Sequence, residues 1–253
     1  MTTGTTPGAP VRLLAVQNDP TDPPALLGRW WAEVGVEVVV VRADAGEPVP
    51  ATLPGDVDGL VVLGGEMAAW EDHRAPWLPA LRDLVAATVD AGAPVLGVCL
   101  GGQVMTLACG GVVDRAPMSE VGVYELDLTA AAADDPLFSV LPDKVPVAQY
   151  HGDAMLEAPE GAVLLASTPD CPIQAYRLGD RAWAVQFHPE VDADIVAAWI
   201  EKTGAEAELL SEFRRQAAPL ADIADRLLRN FLRVAGTEIQ PSLCHAKPRS
   251  TRS

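Results

Sequence analysis

Cysteine is scarce in this 253-residue chain, and none of its four copies (Cys99, Cys109, Cys171, Cys244) stands in C-x-x-C spacing. That argues against a zinc framework and against a disulfide scaffold, so no metal or other cofactor is expected and a reducing, cytoplasmic setting fits best. Positive charge is equally scarce: 18 Lys and Arg face 35 Asp and Glu, a net charge of −17. A nucleic-acid partner calls for a basic face, so DNA and RNA are disfavoured, and the acidity reads as solubility. No apolar run approaches a membrane span; the longest are strand-sized. Residues 1–10 lack the basic-then-apolar order of a signal peptide and read as a disordered leader. No internal repeat and no Walker sequence G-x-x-x-x-G-K-[ST] is present.

What remains is a chain with 49% hydrophobic residues, enough for one substantial core. The simplest division is a single domain over 11–235, with a C-terminal helical extension over about 192–235 and a loose tail over 236–253. Apolar runs at Val11 to Gln17, Val36 to Val41, Leu60 to Leu63 and Pro94 to Val98 predict four buried strands. Between them, Asp22-Pro23 offers an N-cap and first-position proline for a helix to about Val34, and Pro76 to Asp90 has helical periodicity. Continuous apolar strands alternating with helices predict an α/β fold: a mostly parallel sheet with helices on both faces. After Gly110-Gly111, shorter runs at Val121 to Leu128, Val145 to Gln149, Val163 to Ser167, Gln174 to Arg177 and Ala182 to Gln186 predict an antiparallel addition. From Asp192 to about Val234 the pattern is helical, broken near Gly204 and Pro219. Leu209, Phe213, Leu220, Ile223, Leu227, Leu228 and Phe231 form one apolar face. Packing on the sheet is its default use, and an interface within a homo-oligomer is the alternative.

Chemistry concentrates in Pro94-Val95-Leu96-Gly97-Val98-Cys99-Leu100-Gly101-Gly102-Gln103. Gly97 and Gly101 flank Cys99 two residues to each side, the G-x-nucleophile-x-G elbow with cysteine in the serine position. A strained turn there leaves no room for neighbouring side chains, which is why glycine flanks it. It would present the thiol at a helix N-terminus, where unpaired N–H groups favour thiolate. A cysteine nucleophile needs a base, and the base needs an orienting group. Gln186-Phe187-His188-Pro189-Glu190, at the end of an apolar strand, offers both. Leu63-Gly64-Gly65 supplies a third element: the Gly65 N–H, with that of Leu100, can form an oxyanion hole.

The combination of L-G-G after a strand, P-V-L-G-V-C-L-G-G-Q and Q-F-H-P-E resembles the class I glutamine amidotransferases, and most of all the stand-alone branch related to the amidotransferase domain of GMP synthase. Glu120-Val121-Gly122, Asp135-Pro136-Leu137-Phe138, His151-Gly152-Asp153 and Gln174-Ala175-Tyr176-Arg177 agree with it. The resemblance covers roughly Val11 to Trp199 and implies the flavodoxin-like fold of that family. It also implies Cys99 as nucleophile, His188 as acid and base, Glu190 as orienting carboxylate, and Gly65 and Leu100 as oxyanion donors. Gln103, Gly122 and His151 would be substrate-binding, although a structural hydrogen bond is the default use of His151. Two departures stand out: Glu66 replaces a proline common after the glycine pair, and Glu120 replaces an uncharged polar residue. Three readings of function follow. The chain hydrolyses glutamine and passes ammonia to a separate synthase subunit; it is a free-standing γ-glutamyl peptidase or hydrolase; or it is a non-catalytic binding protein on the same scaffold.

Overall fold

The computed structural model describes residues 10–204 and 207–236. The expected leader and tail lie, except for Pro10 and Gly236, outside the described residues, as does Cys244. A nine-stranded sheet forms the centre. Its parallel part comprises β2 (Glu37–Arg42), β1 (Arg12–Gln17), β3 (Gly59–Val62), β4 (Val95–Val98) and β9 (Ala182–Val185), side by side in that order. The antiparallel part continues from β9 through β8 (Ala175–Leu178), β7 (Val163–Ser167), β5 (Val112–Leu128) and β6 (Val145–Glu157).

Side-chain alternation along the parallel strands builds two cores. Leu13, Ala15, Val61, Leu63, Leu96 and Val98 point to one face, where Trp31 of α1 (Ala25–Glu33) and Phe231 of α6 (Ala217–Ala235) stack at 6.0 Å. Leu14, Val16, Leu60, Val62 and Val95 point to the other, under Leu81, Leu84 and Val85 of α2 (Leu78–Asp90) and Val104 and Met105 of α3 (Leu100–Ala108). Helices therefore cover both faces, as the uninterrupted apolar runs require. A third, smaller core joins Ala148 of β6 to Trp199 of α4 (Ala193–Thr203) and Phe213 of α5 (Ala207–Arg215). The apolar face of the C-terminal helices is consumed internally: Ile223, Leu227, Leu228 and Phe231 are buried in the first core. No helix among the described residues is long and apolar enough to cross a membrane.

Two expectations about local structure need correction. Asp22 does not cap α1; the N-cap is Pro24, and the Asp22 carboxylate turns inward instead. The two short strands expected at Val121 to Leu128 and Val145 to Gln149 are the ends of long ones. The β5–β6 ladder resumes beyond a register shift between Arg115 and Glu120, which masks the alternation in sequence. The breaks expected near Gly204 and Pro219 are present: α4 ends at Gly204, and α5 gives way to α6 at Gln216, with Pro219 in the first turn of α6, where backbone N–H groups have no intrahelical acceptor.

Candidate active site

Three neighbouring parallel strands deliver the central groups from their carboxyl ends: β3 leads into Gly64-Gly65, β4 into Cys99 and β9 into His188. Register fixes the last two relative to each other. Val98 lies opposite Val185, and the Cys99 N–H donates to the Val185 carbonyl at 2.8 Å. The backbone of Cys99 is at φ 50°, ψ −110°, a region L-residues avoid, immediately before the first turn of α3. The flanking glycines are needed for space. A Cβ on Gly101 would come 2.1 Å from the Val62 carbonyl oxygen, and one on Gly97 would come 2.6 Å from the Gly101 carbonyl oxygen.

His188 is 4% exposed, and its Nδ1 lies 2.7 Å from Glu190 Oε1. Nε2 makes no hydrogen bond of ordinary geometry among the described residues, and Cys99 lies close enough to interact with the imidazole. Burial alone would lower the imidazole's pKa. The negative charge of Glu190 and the interaction with Cys99 outweigh it, so His188 stays protonated well above its ordinary range. The structure thus brings Cys99, His188 and Glu190 together.

Cys99 opens into a cavity of about 240 Å³, whose walls include Gly65, Glu66, Gln103, Arg115, His151 and Asp153. Gly65 sits against the start of α3, where a Cβ would come 2.9 Å from Leu100 Cδ2. Gln103 is buried, and its amide nitrogen donates to the Asp153 carbonyl (3.0 Å) and to Gln186 Oε1 (3.3 Å). Gln186 in turn aims its own N–H at Cys99 Sγ, 3.7 Å away. Gly122 is not brought to the cavity. At φ 134° it lies under α5, where a Cβ would meet Glu212 and Leu209, while its neighbour Val121 forms part of the wall. His151 reaches the wall with its ring nitrogens engaged: Nε2 with Glu120 Oε2 (2.9 Å) and Nδ1 with the Asp153 carbonyl (3.0 Å).

Glu120, His151 and Cys171 are buried and offer three ligand atoms within 4.8 Å of one another. Their donor set suits a hydrogen-bond network better than a metal. Glu120 already accepts from His151, Thr168 and Gln174. Burial works against its charge, and those hydrogen bonds overcome the penalty, holding the carboxyl below its usual range. The Cys171 thiol is pushed up to about 12 by burial and by Glu120, and burial with Asp90 pushes Cys109 to about 11. Neither is prepared to attack at neutral pH.

Sequence reasoning missed Asp22. It is buried, accepts from Trp199 Nε1 at 2.7 Å, and lies against Gly64 beside His188. Its position after β1 carried a helix-start signal that concealed it. It also missed the tether of Glu66, which pairs with Arg74 and, at 2.9 Å, with Lys202 of α4.

A doubly wound sheet that presents a strained cysteine beside a buried imidazole–carboxylate pair defines the class: an α/β protein with a cysteine nucleophile elbow. The chain belongs to the class-I glutamine amidotransferase family, whose model matches residues 26–198. Among its relatives is the GMP synthase [glutamine-hydrolyzing] of Aeropyrum pernix, 31% identical over 185 residues, covering 71% of this chain and 34% of that protein. The GMP synthase of Mycobacterium tuberculosis is 40% identical over 133 residues, covering 52% and 23%. The chain therefore matches about a third of the length of one of these relatives and about a quarter of the other. A glutamine amidotransferase from Methylobacillus flagellatus has the same fold, with a TM-score of 0.78 and 26% identity over 91% of this chain and 97% of that one. One from Thermotoga maritima shares the fold as well, with a TM-score of 0.78 and 24% identity over 90% and 99%.

Proposed function

We propose that this chain hydrolyses the side-chain amide of glutamine, or a γ-glutamyl amide, through a thioester on Cys99. The observation that carries this reading is the cysteine at its strained elbow, facing a buried imidazole that Glu190 orients, at the wall of a cavity sized for an amino acid. The Cys99 sulfur attacks the amide carbonyl carbon. The N–H groups of Gly65 and Leu100 receive the negative oxygen, the latter at a helix start where its N–H has no intrahelical acceptor. His188 gives its proton to the departing nitrogen, the C–N bond breaks, and ammonia or an amine leaves. Water then loses a proton to His188 and attacks the thioester; the C–S bond breaks and glutamate is released.

The relatives' names, which specify glutamine hydrolysis, support glutamine as the substrate. Their greater length supports a synthase portion as the recipient of ammonia. Glutamate release from glutamine and from γ-glutamyl peptides, measured on the wild type and on Cys99→Ala, tests the reading. Turnover that disappears in the variant supports it, and turnover that survives refutes it. Stimulation by a captured synthase favours the amidotransferase; vigorous peptide cleavage by the isolated protein favours the hydrolase.

A further inference from the structure

The loop between β1 and α1, together with the first turn of α1, is clamped onto the surroundings of His188. The Leu26 N–H donates to the Glu190 carbonyl at 3.1 Å, and Asp22 Oδ1 accepts from Trp199 Nε1 at 2.7 Å. The Trp199 ring meets the His188 ring edge to face, with centroids 4.8 Å apart. The other oxygen of Asp22 lies on the Gly64 side of the same imidazole. A Cβ on Gly64 would stand 3.4 Å from Asp22 Oδ2 and 3.1 Å from His188 Cε1. Glycine is thus what lets carboxylate and imidazole share this space.

We propose that Asp22 is a positioning residue: a second carboxylate that, with Trp199, fixes the His188 ring from the Gly64 side and favours its protonated form. This rests on the reading of His188 as the acid and base. The charged groups facing Asp22 are His188 and Glu190 from the segment after β9, and Asp19 from its own loop. Asp19 is paired with Lys202 of α4 at 2.9 Å. Burial raises the Asp22 carboxyl to about 6, with Glu190 adding to the rise and His188 opposing it. Above that pH Asp22 places a negative charge beside the imidazole, where it complements Glu190. A purely structural carboxyl would satisfy Trp199 and leave the titration of His188 unchanged.

The test uses iodoacetate, whose anionic approach to Cys99 the imidazolium assists, so the alkaline fall in the alkylation rate reports loss of the His188 proton. In Asp22→Asn, which keeps an acceptor for Trp199, this limb is expected about one unit lower in pH. Asp22→Glu should restore it toward the wild type. If Asp22→Asn fails to fold, the wild type alone decides. In histidine-labelled protein, the Cε1–H resonance of His188, identified by its loss in His188→Asn, should show a step near pH 6 as Asp22 ionises. An unmoved limb or the absence of that step overturns the proposal. Neither readout needs substrate, so a shifted limb in a protein that hydrolyses no glutamine would sink the proposed function and leave the positioning role standing.

Discussion

Replacing Cys99 by glycine should give a more stable protein than replacing it by alanine, the reverse of the usual order. Both variants lose the sulfur, so both lose the chemistry and the interaction with His188. They differ in the Cβ carried at φ 50°, ψ −110°. An L-residue held in such a region costs about 1–3 kcal/mol, and alanine retains that cost. Glycine adopts the region freely but loses about 0.5–1 kcal/mol through its more flexible unfolded state. The balance favours glycine by about 1 kcal/mol, which for a domain of this size is roughly 2–4 °C in Tm. Thermal unfolding of the two purified variants, followed side by side by calorimetry or circular dichroism, measures the difference directly. A Cys99→Ala protein that melts at or above the Cys99→Gly protein refutes the claim that the elbow stores backbone strain.

Other consequences can be measured with equal economy. Gly101→Ala drives a Cβ against the Val62 carbonyl oxygen, a backbone atom that cannot rotate away. The cost should exceed the usual 1–3 kcal/mol of overpacking and show as a drop in the urea midpoint or loss of soluble protein. Glu190→Gln should lower glutaminase kcat on the order of 10²–10⁴-fold while the fold persists, since it removes the charge that keeps His188 protonated. Brief iodoacetamide treatment at pH 8, read by peptide mass spectrometry, should modify Cys99 well before Cys109 or Cys171, whose thiols are held up at about 11 and 12. As the pH falls from 8 to 5, the iodoacetate reactivities of wild type and Asp22→Asn should converge, because His188 is protonated in both at the acid end.

The parts of this architecture visible in sequence were those written in local patterns. The apolar runs of β1, β3 and β4 could be read because strands buried on both faces have no polar face to interrupt them, whereas β2, expected to be buried as well, is an edge strand that is only half-buried. The glycines around Cys99 could be read because each has a steric reason in the structure. The helix boundary at Asp22 was misread because Asp-Pro is a start signal by local chemistry, whereas tertiary structure turned that carboxyl toward Trp199. The extent of β5 and β6 was hidden because a register shift breaks the period-two pattern on which strand prediction depends. Gly122 follows a wall residue in sequence, and its Cα side faces α5, an environment that sequence adjacency does not reveal. The engagement of Gln103 with Asp153 and Gln186 joins three distant segments, which no local window contains.

The pairing of Val98 with Val185 joins segments whose intervening chain must also be accommodated, so β9 can take its place beside β4 only after that whole intervening segment has been made. Such long-separation pairing is slow to form, because the closure entropy comes before the contacts that offset it. A nascent chain ending before that strand carries the thiol but not its imidazole. The thiol and its imidazole thus become partners only as the sheet is completed.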